Sequence, residues 1–235
     1  MNDWSIKEIK RQAKDRLKVN YLKSVLVGIV IAITTGGLFD STYSGSSMST
    51  SSSSGLKDVI SGVPKNIMFA IGIGTILLII FAFITMVVIK IFLINPIEIG
   101  CDRFFHKNLE EKAELKEMLY SYDKGYKNGV KTLFLRNLYL TLWSCLFIIP
   151  GIIKQYEYRL IPYILSENPD MDSKEVFRRS KQMMNGYKWK AFLMDLSFLL
   201  WEIVGILTFG ILNVFYVNPY KKLAEAGLYK KLKEI

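Results

Sequence analysis

The sequence predicts an all-α polytopic membrane bundle of six crossings, built from about three units that each join an interfacial amphipathic helix to a helical hairpin. Three observations lead there. Hydrophobic residues make up 51% of the chain, and the mean hydropathy is +0.23. The apolar residues are gathered into blocks: Asn66 to Asn95 holds one charge, Lys90. About 20 helical residues suffice to span roughly 30 Å of hydrocarbon. Finally, the basic residues behind the net charge of +10 lie between the blocks. A chain of this size could not wrap so long an apolar helix inside a soluble core.

Each element follows from that frame. Residues 1–20 carry Lys7, Lys10, Arg11, Lys14, Arg16 and Lys18; by the positive-inside rule they read as a cytoplasmic amphipathic helix. Residues 21–39 form the first crossing. The long basic stretch before it and the lack of a small-x-small cleavage site mark a retained signal anchor. Residues 40–65, rich in serine and glycine, read as an external loop too polar to fold alone. Residues 66–95 return the chain and complete the first hairpin.

The 96–131 connector carries Lys107, Lys112, Lys116, Lys124 and Lys127 and is assigned to the cytoplasm. Residues 132–165 form a second hairpin, turned at Pro150-Gly151, and 166–188 return to the cytoplasm with Lys174, Arg178, Arg179 and Lys181. Residues 189–217 form the third hairpin, interrupted between Gly205 and Gly210. Residues 218–235 are a cytoplasmic tail with Lys221, Lys222, Lys230, Lys231 and Lys233. A four-crossing chain ranks second, because it would leave the lysine-rich 174–190 stretch outside.

Three segments share one design. Each opens on a capping-box pair: Ser5 with Glu8, Asn108 with Glu111, Asp172 with Glu175. An apolar stripe follows: Ile6, Ile9, Ala13 and Leu17; then Leu115, Met118 and Leu119; then Val176, Phe177, Met183 and Met184. Each breaks at Asn or Gly and enters the membrane beside a lysine: Lys23, Lys131 or Lys190. The first and third units have the same spacing from cap to lysine, and the middle one is longer. Helices of this kind lie in the headgroup plane.

At Ile148-Ile149-Pro150-Gly151-Ile152-Ile153-Lys154, Tyr156, Pro162-Tyr163-Ile164-Leu165 and Glu167-Asn168-Pro169, the chain resembles a bacterial integral-membrane family, domain of unknown function nine hundred and seventy-five. The resemblance continues through Met183-Met184, Gly186, Lys188-Trp189-Lys190, Asp195-Leu196-Ser197-Phe198, Trp201 and Pro219-Tyr220. That family is similar to the membrane domain attached to some glycerophosphodiester phosphodiesterases. The resemblance implies a multipass protein common in Firmicutes, and no established activity.

Charges inside membrane helices are costly, so each is a candidate site. Arg136 and Asp195 each lie five residues past an entry lysine, and that shared depth predicts an intramembrane pair between them. Glu202 lies deeper, without an evident partner unless Lys154, Glu157 or Arg159 approaches it. Lys90 can snorkel to the interface. Lys23, Lys131, Lys188 and Lys190 are candidate contacts for anionic lipid of the inner leaflet. The tyrosines and tryptophans at block ends, among them Trp4, Tyr21, Tyr156, Trp189 and Tyr216, fit an aromatic belt.

His106, the single histidine, falls in a charged connector and reads as a surface residue. Cys101 and Cys145 have no metal-ligand spacing. Phosphate-binding, serine-hydrolase, zinc-protease and dinucleotide motifs are absent from the sequence. The expectation is therefore a non-enzymatic component of the bacterial cell membrane, without cofactor or metal. It would bind or organise the lipid bilayer or a membrane-protein partner, and not nucleic acid. The alternative is a small-solute or ion transporter using Arg136, Asp195 and Glu202 in a polar path.

Overall fold

The computed structural model describes residues 4–34 and 65–234. The expected external loop and the far end of the first crossing lie outside the described residues. Everything described is helix, turn or connector. The helices are α1 (Ile6–Val19), α2 (Tyr21–Thr34), α3 (Lys65–Ile89), α4 (Asn95–Asn108), α5 (Tyr120–Asp123), α6 (Tyr126–Leu146), α7 (Ile148–Glu157), α8 (Ile161–Glu167), α9 (Ser173–Met183), α10 (Lys188–Leu207) and α11 (Asn218–Lys233). Among the described residues one continuous helix, within Ile71–Asn108, is long and apolar enough to cross a membrane.

Proline organises the chain at three places. Phe92, Tyr158 and Phe215 each precede a proline by four residues: Pro96, Pro162 and Pro219. Proline has no N–H for the carbonyl four residues back, and its ring crowds that carbonyl. At two of the three sites the helix absorbs this with a widened π turn, Lys90–Ile94 before Pro96 and Asn213–Val217 before Pro219. Each freed carbonyl then receives a tyrosine hydroxyl from a neighbouring helix. Tyr126 donates to Phe92 O at 2.9 Å, and Tyr21 donates to Phe215 O at 3.1 Å. Tyr126→Phe and Tyr21→Phe are each expected to cost about 1 kcal/mol, the net worth of one hydrogen bond. Denaturant titration of the purified protein measures it.

The three prolines head α4, α8 and α11, and these helices form the core with α1 and α9. Phe104, Phe105, Ile161, Tyr163, Ile164, Leu223, Ala224 and Tyr229 are buried there, with Ile9, Ala13 and Leu17 from α1. The packing is cyclic. The segment preceding each entry helix lies on the proline-headed helix of the preceding unit: α9 on α8, the Leu115–Leu119 turn and α5 on α4, and α1 on α11, which closes the ring. The entry helices follow the same rule. The N-terminal one, α2, lies against the Asn213–Val217 turn, α6 against the Lys90–Ile94 turn, and α10 against α7.

Several expectations are corrected by this arrangement. Asn108 ends a helix instead of capping the start of one, because the helix runs on through Pro96; its buried side chain bonds Asn20 and Ser24. Residues 96–131 are therefore not a connector throughout, since α4 is a core helix. The second turn is at Phe147, three residues before Pro150, and the third falls at Thr208–Gly210 as spaced. Pro150 sits in the first turn of α7, where a missing N–H costs nothing. The apolar stripe of α1 packs on α11, with Ile9 against Gly227, and so is not free to lie on lipid.

Candidate functional site

The molecule is divided by exposure. Its large exposed apolar side chains fall at 19–26, 69–93, 115–119, 134–153 and 189–215. Among the described residues none falls within 4–18, 94–114, 154–188 or beyond 215. One end of the molecule therefore has a dry core, and the other presents Leu, Ile, Phe and Val outward. A soluble protein rarely exposes so large a contiguous apolar surface.

Between the two ends runs a belt of ion pairs, and it contains three of the sequence-predicted charges, Arg136, Arg159 and Asp195. Arg159 grips Asp195 with both terminal nitrogens, at 2.8 and 2.9 Å, and reaches Glu225 at 2.7 Å. Tyr156 donates to the same Asp195 carboxylate at 2.9 Å. Glu225 and Asp102 share Lys222, each at 3.1 Å. Arg136 pairs with Glu98 at 2.9 Å. These groups come from α4, α6, α7, α10, α11 and the connector around Arg159, so the belt stitches all three units together.

The electrostatics follow from that packing. Burial alone would raise the Glu225 carboxyl, but Lys222, Arg159 and Lys221 outweigh it and hold the group down at about 2. Burial would likewise discharge Lys222; Asp102 and Glu225 reverse this and keep its ammonium protonated above the usual lysine range. A bidentate guanidinium–carboxylate pair of this kind is short, planar and directional.

The expected Arg136–Asp195 pair is not formed. Both residues do lie five past an entry lysine, but in a cyclic bundle an entry helix meets the preceding return arm, and not another entry helix. Each charge therefore finds its partner on the preceding unit: Glu98 for Arg136, Arg159 for Asp195. The equivalent position of the first unit is Gly28, which abuts Pro219.

Glu202 has a partner that the sequence did not suggest, Lys221 at 2.8 Å across the third hairpin. Lys154 pairs with Glu157 at 2.6 Å, and Glu157 is also bound by Lys188 at 2.5 Å. Lys190 donates to Trp4 O at 2.9 Å and stands 4.8 Å over its ring. Lys131 is exposed and Lys23 half-buried. His106 is only partly exposed, more enclosed than its charged connector suggested: it lies in α4 and packs edge-on against Tyr229, 5.2 Å between centroids.

Sequence reasoning missed Glu98, Asp102, Lys222 and Glu225, and also Lys10, whose ammonium bonds Ser197 Oγ at 3.1 Å and lies 4.3 Å over Phe198. A signal existed. Asp102 and Glu225 both fall six residues past a proline preceded by asparagine, Pro96 and Pro219.

A family model described as a protein of unknown function (DUF975) matches residues 145–235. That stretch runs from the tip of the second hairpin to the end of the chain. It supplies Tyr156, Arg159, Asp195, Lys222 and Glu225 to the belt, while Glu98, Asp102 and Arg136 lie before it. No curated protein and no solved structure matches the chain.

Proposed function

We propose that the chain is a non-enzymatic multipass protein of the bacterial cytoplasmic membrane that gathers anionic lipid headgroups around its ionic belt. The division of the surface into an outward apolar end and a dry-cored end carries this reading. Hydrocarbon is the environment in which the exposed Leu, Ile and Phe side chains cost nothing. The dry-cored end, with its lysines, then faces the cytoplasm together with both termini. The first part of the chain belongs to the same membrane unit in this reading, and its serine-rich 40–65 loop, which is not part of the family pattern, is an external connector.

Lys131 and Lys23 stand at the seam beside exposed Leu22, Leu26 and Phe134, where phosphate groups of an inner leaflet would lie. Each such lysine is worth on the order of 1 kcal/mol towards an anionic surface. Lys23→Gln with Lys131→Gln is therefore expected to lower the preference for phosphatidylglycerol over phosphatidylcholine by about ten-fold or more, as read from spin-labelled lipids at the protein boundary. An unchanged preference in a folded double variant would refute the headgroup role. Transport is the less supported reading, since Arg136, Asp195 and Glu202 are held in three separate ion pairs. A flux that disappears in Asp195→Asn at unchanged abundance would favour it instead.

A further inference from the structure

The apolar lengths of the three hairpins differ, and the difference bears on how deep each one reaches. In the first unit, α3 runs without a charge from Asn66 to Ile89, about 36 Å at about 1.5 Å per residue, enough to cross. In the second, only ten residues separate Arg136, paired with Glu98, from Leu146 at the tip, and α7 returns to Glu157 in ten. The outward arm therefore carries about 15 Å of helix beyond the belt, and the return arm is apolar only over 148–153, about 9 Å, before Lys154. In the third, Asp195 to the end of α10 at Leu207 spans about 18 Å.

The Glu202–Lys221 pair gives a second, independent limit. It lies on the third hairpin with side chains 38% and 31% exposed. An open ion pair costs least at headgroup depth, and placed there it leaves too little of the hairpin beyond it to cross. From Glu202 to Leu207 there is only about 8 Å of helix.

The turns themselves are built for a dry place. Leu146, Phe147 and Ile149 are exposed at one tip; Leu207, Phe209 and Ile211 are exposed at the other, Phe209 at 97%. Several of the turn amides are satisfied within the turn. Phe147 N–H donates to Trp143 O at 3.0 Å, Phe209 N–H to Ile206 O at 3.0 Å, and Gly210 N–H to Gly205 O at 2.9 Å. Leu212 N–H donates to the Thr208 hydroxyl at 3.3 Å. Backbone inside a bilayer must be paired in this internal way, whereas a turn in water has no such need.

From the short apolar arms, the open Glu202–Lys221 pair and the internally bonded apolar turns, we infer that the second and third hairpins are re-entrant. They enter and leave on the belt side, and their tips rest on acyl chains inside the bilayer. Only the first unit then crosses. This rests on the membrane reading above, and the test separates the two.

Nitroxides are attached at native Cys145, beside the first tip, and at Phe209→Cys in a Cys145→Ser chain, both with Cys101→Ala. A third goes on Leu78→Cys in the doubly cysteine-free chain, halfway along the charge-free stretch of α3. After reconstitution in phosphatidylglycerol and phosphatidylcholine, collision with oxygen is compared with collision with a water-soluble nickel chelate. All three sites are expected to favour oxygen to a similar extent. Nickel access at the two tips with oxygen preference at Leu78→Cys would overturn re-entrance and indicate full crossings. Nickel access at all three would overturn the membrane reading as well.

Discussion

Replacing Arg159 by alanine is expected to cost the folded protein about 3–5 kcal/mol, the penalty for removing one partner of a buried ionic network. The guanidinium makes three short charge-assisted bonds, two to Asp195 and one to Glu225. Without it, the Asp195 carboxylate keeps only the Tyr156 hydroxyl, and Glu225 keeps only Lys222. Because α10, α11 and the second hairpin meet at this side chain, the loss falls on the joint between two units. Arg159→Lys retains the charge but not the fork, so it should recover part of the stability and not all of it.

Folded yield and thermal unfolding of the purified variants provide the readout. An Arg159→Ala protein as stable as the parent would show that the belt is dispensable. The same network gives a pH dependence. Glu225 is held below its ordinary 4.5 at about 2, so its contribution is complete above about pH 4.5 and is lost as the pH falls towards 2. Glu225→Gln should flatten that acid limb.

Gly100→Ala is expected to be comparably damaging. A Cβ there would stand 1.9 Å from Met118 O and 2.4 Å from Met118 C. Both are backbone atoms of the Leu115–Leu119 turn, which lies directly on α4. No rotamer change can relieve the overlap. Helix and turn must separate, opening the core around Phe104 and Phe105 at a cost of about 3 kcal/mol or more. Gly72→Ala is the matched control. Nothing lies within 4 Å of its Cβ, so the substitution should be neutral, or stabilising by up to about 1 kcal/mol from helix propensity. Equal thermal stability of the two variants would refute the close approach of α4 and the turn.

How much of this was legible in the sequence depends on which physical rule sets each feature. Helix, hairpin and lysine-rich connector are local properties of hydropathy and punctuation. Accordingly, the breaks near Asn20, Phe147 and Gly210 fell at or within a few residues of their expected places. Depth along a helix was also legible: Arg136 and Asp195 do occupy equivalent positions. Which helix lies beside which was not, because side-by-side order depends on the cyclic packing of the units. The same rise above an entry lysine therefore led to different partners, Glu98 and Arg159.

The belt was partly hidden for a related reason. Asp102, Lys222 and Glu225 lie in stretches that look like ordinary charged connectors, and only the helices continuing through Pro96 and Pro219 carry them inward. Apolar length was readable, but its meaning depended on where the charges are neutralised. Glu202 looked like a deep intramembrane acid until Lys221 appeared opposite it.

The central claim is that the outward apolar half of the molecule is solvated by hydrocarbon and the proline-headed half is not. Photolabelling the reconstituted protein with a lipid-dissolved carbene precursor, followed by peptide mapping, tests this directly. The label should concentrate within residues 69–93, 134–153 and 193–215, and should spare 97–108, 160–186 and 218–233. Label spread evenly over both sets, or richer on the α4, α8 and α11 helices, would contradict it.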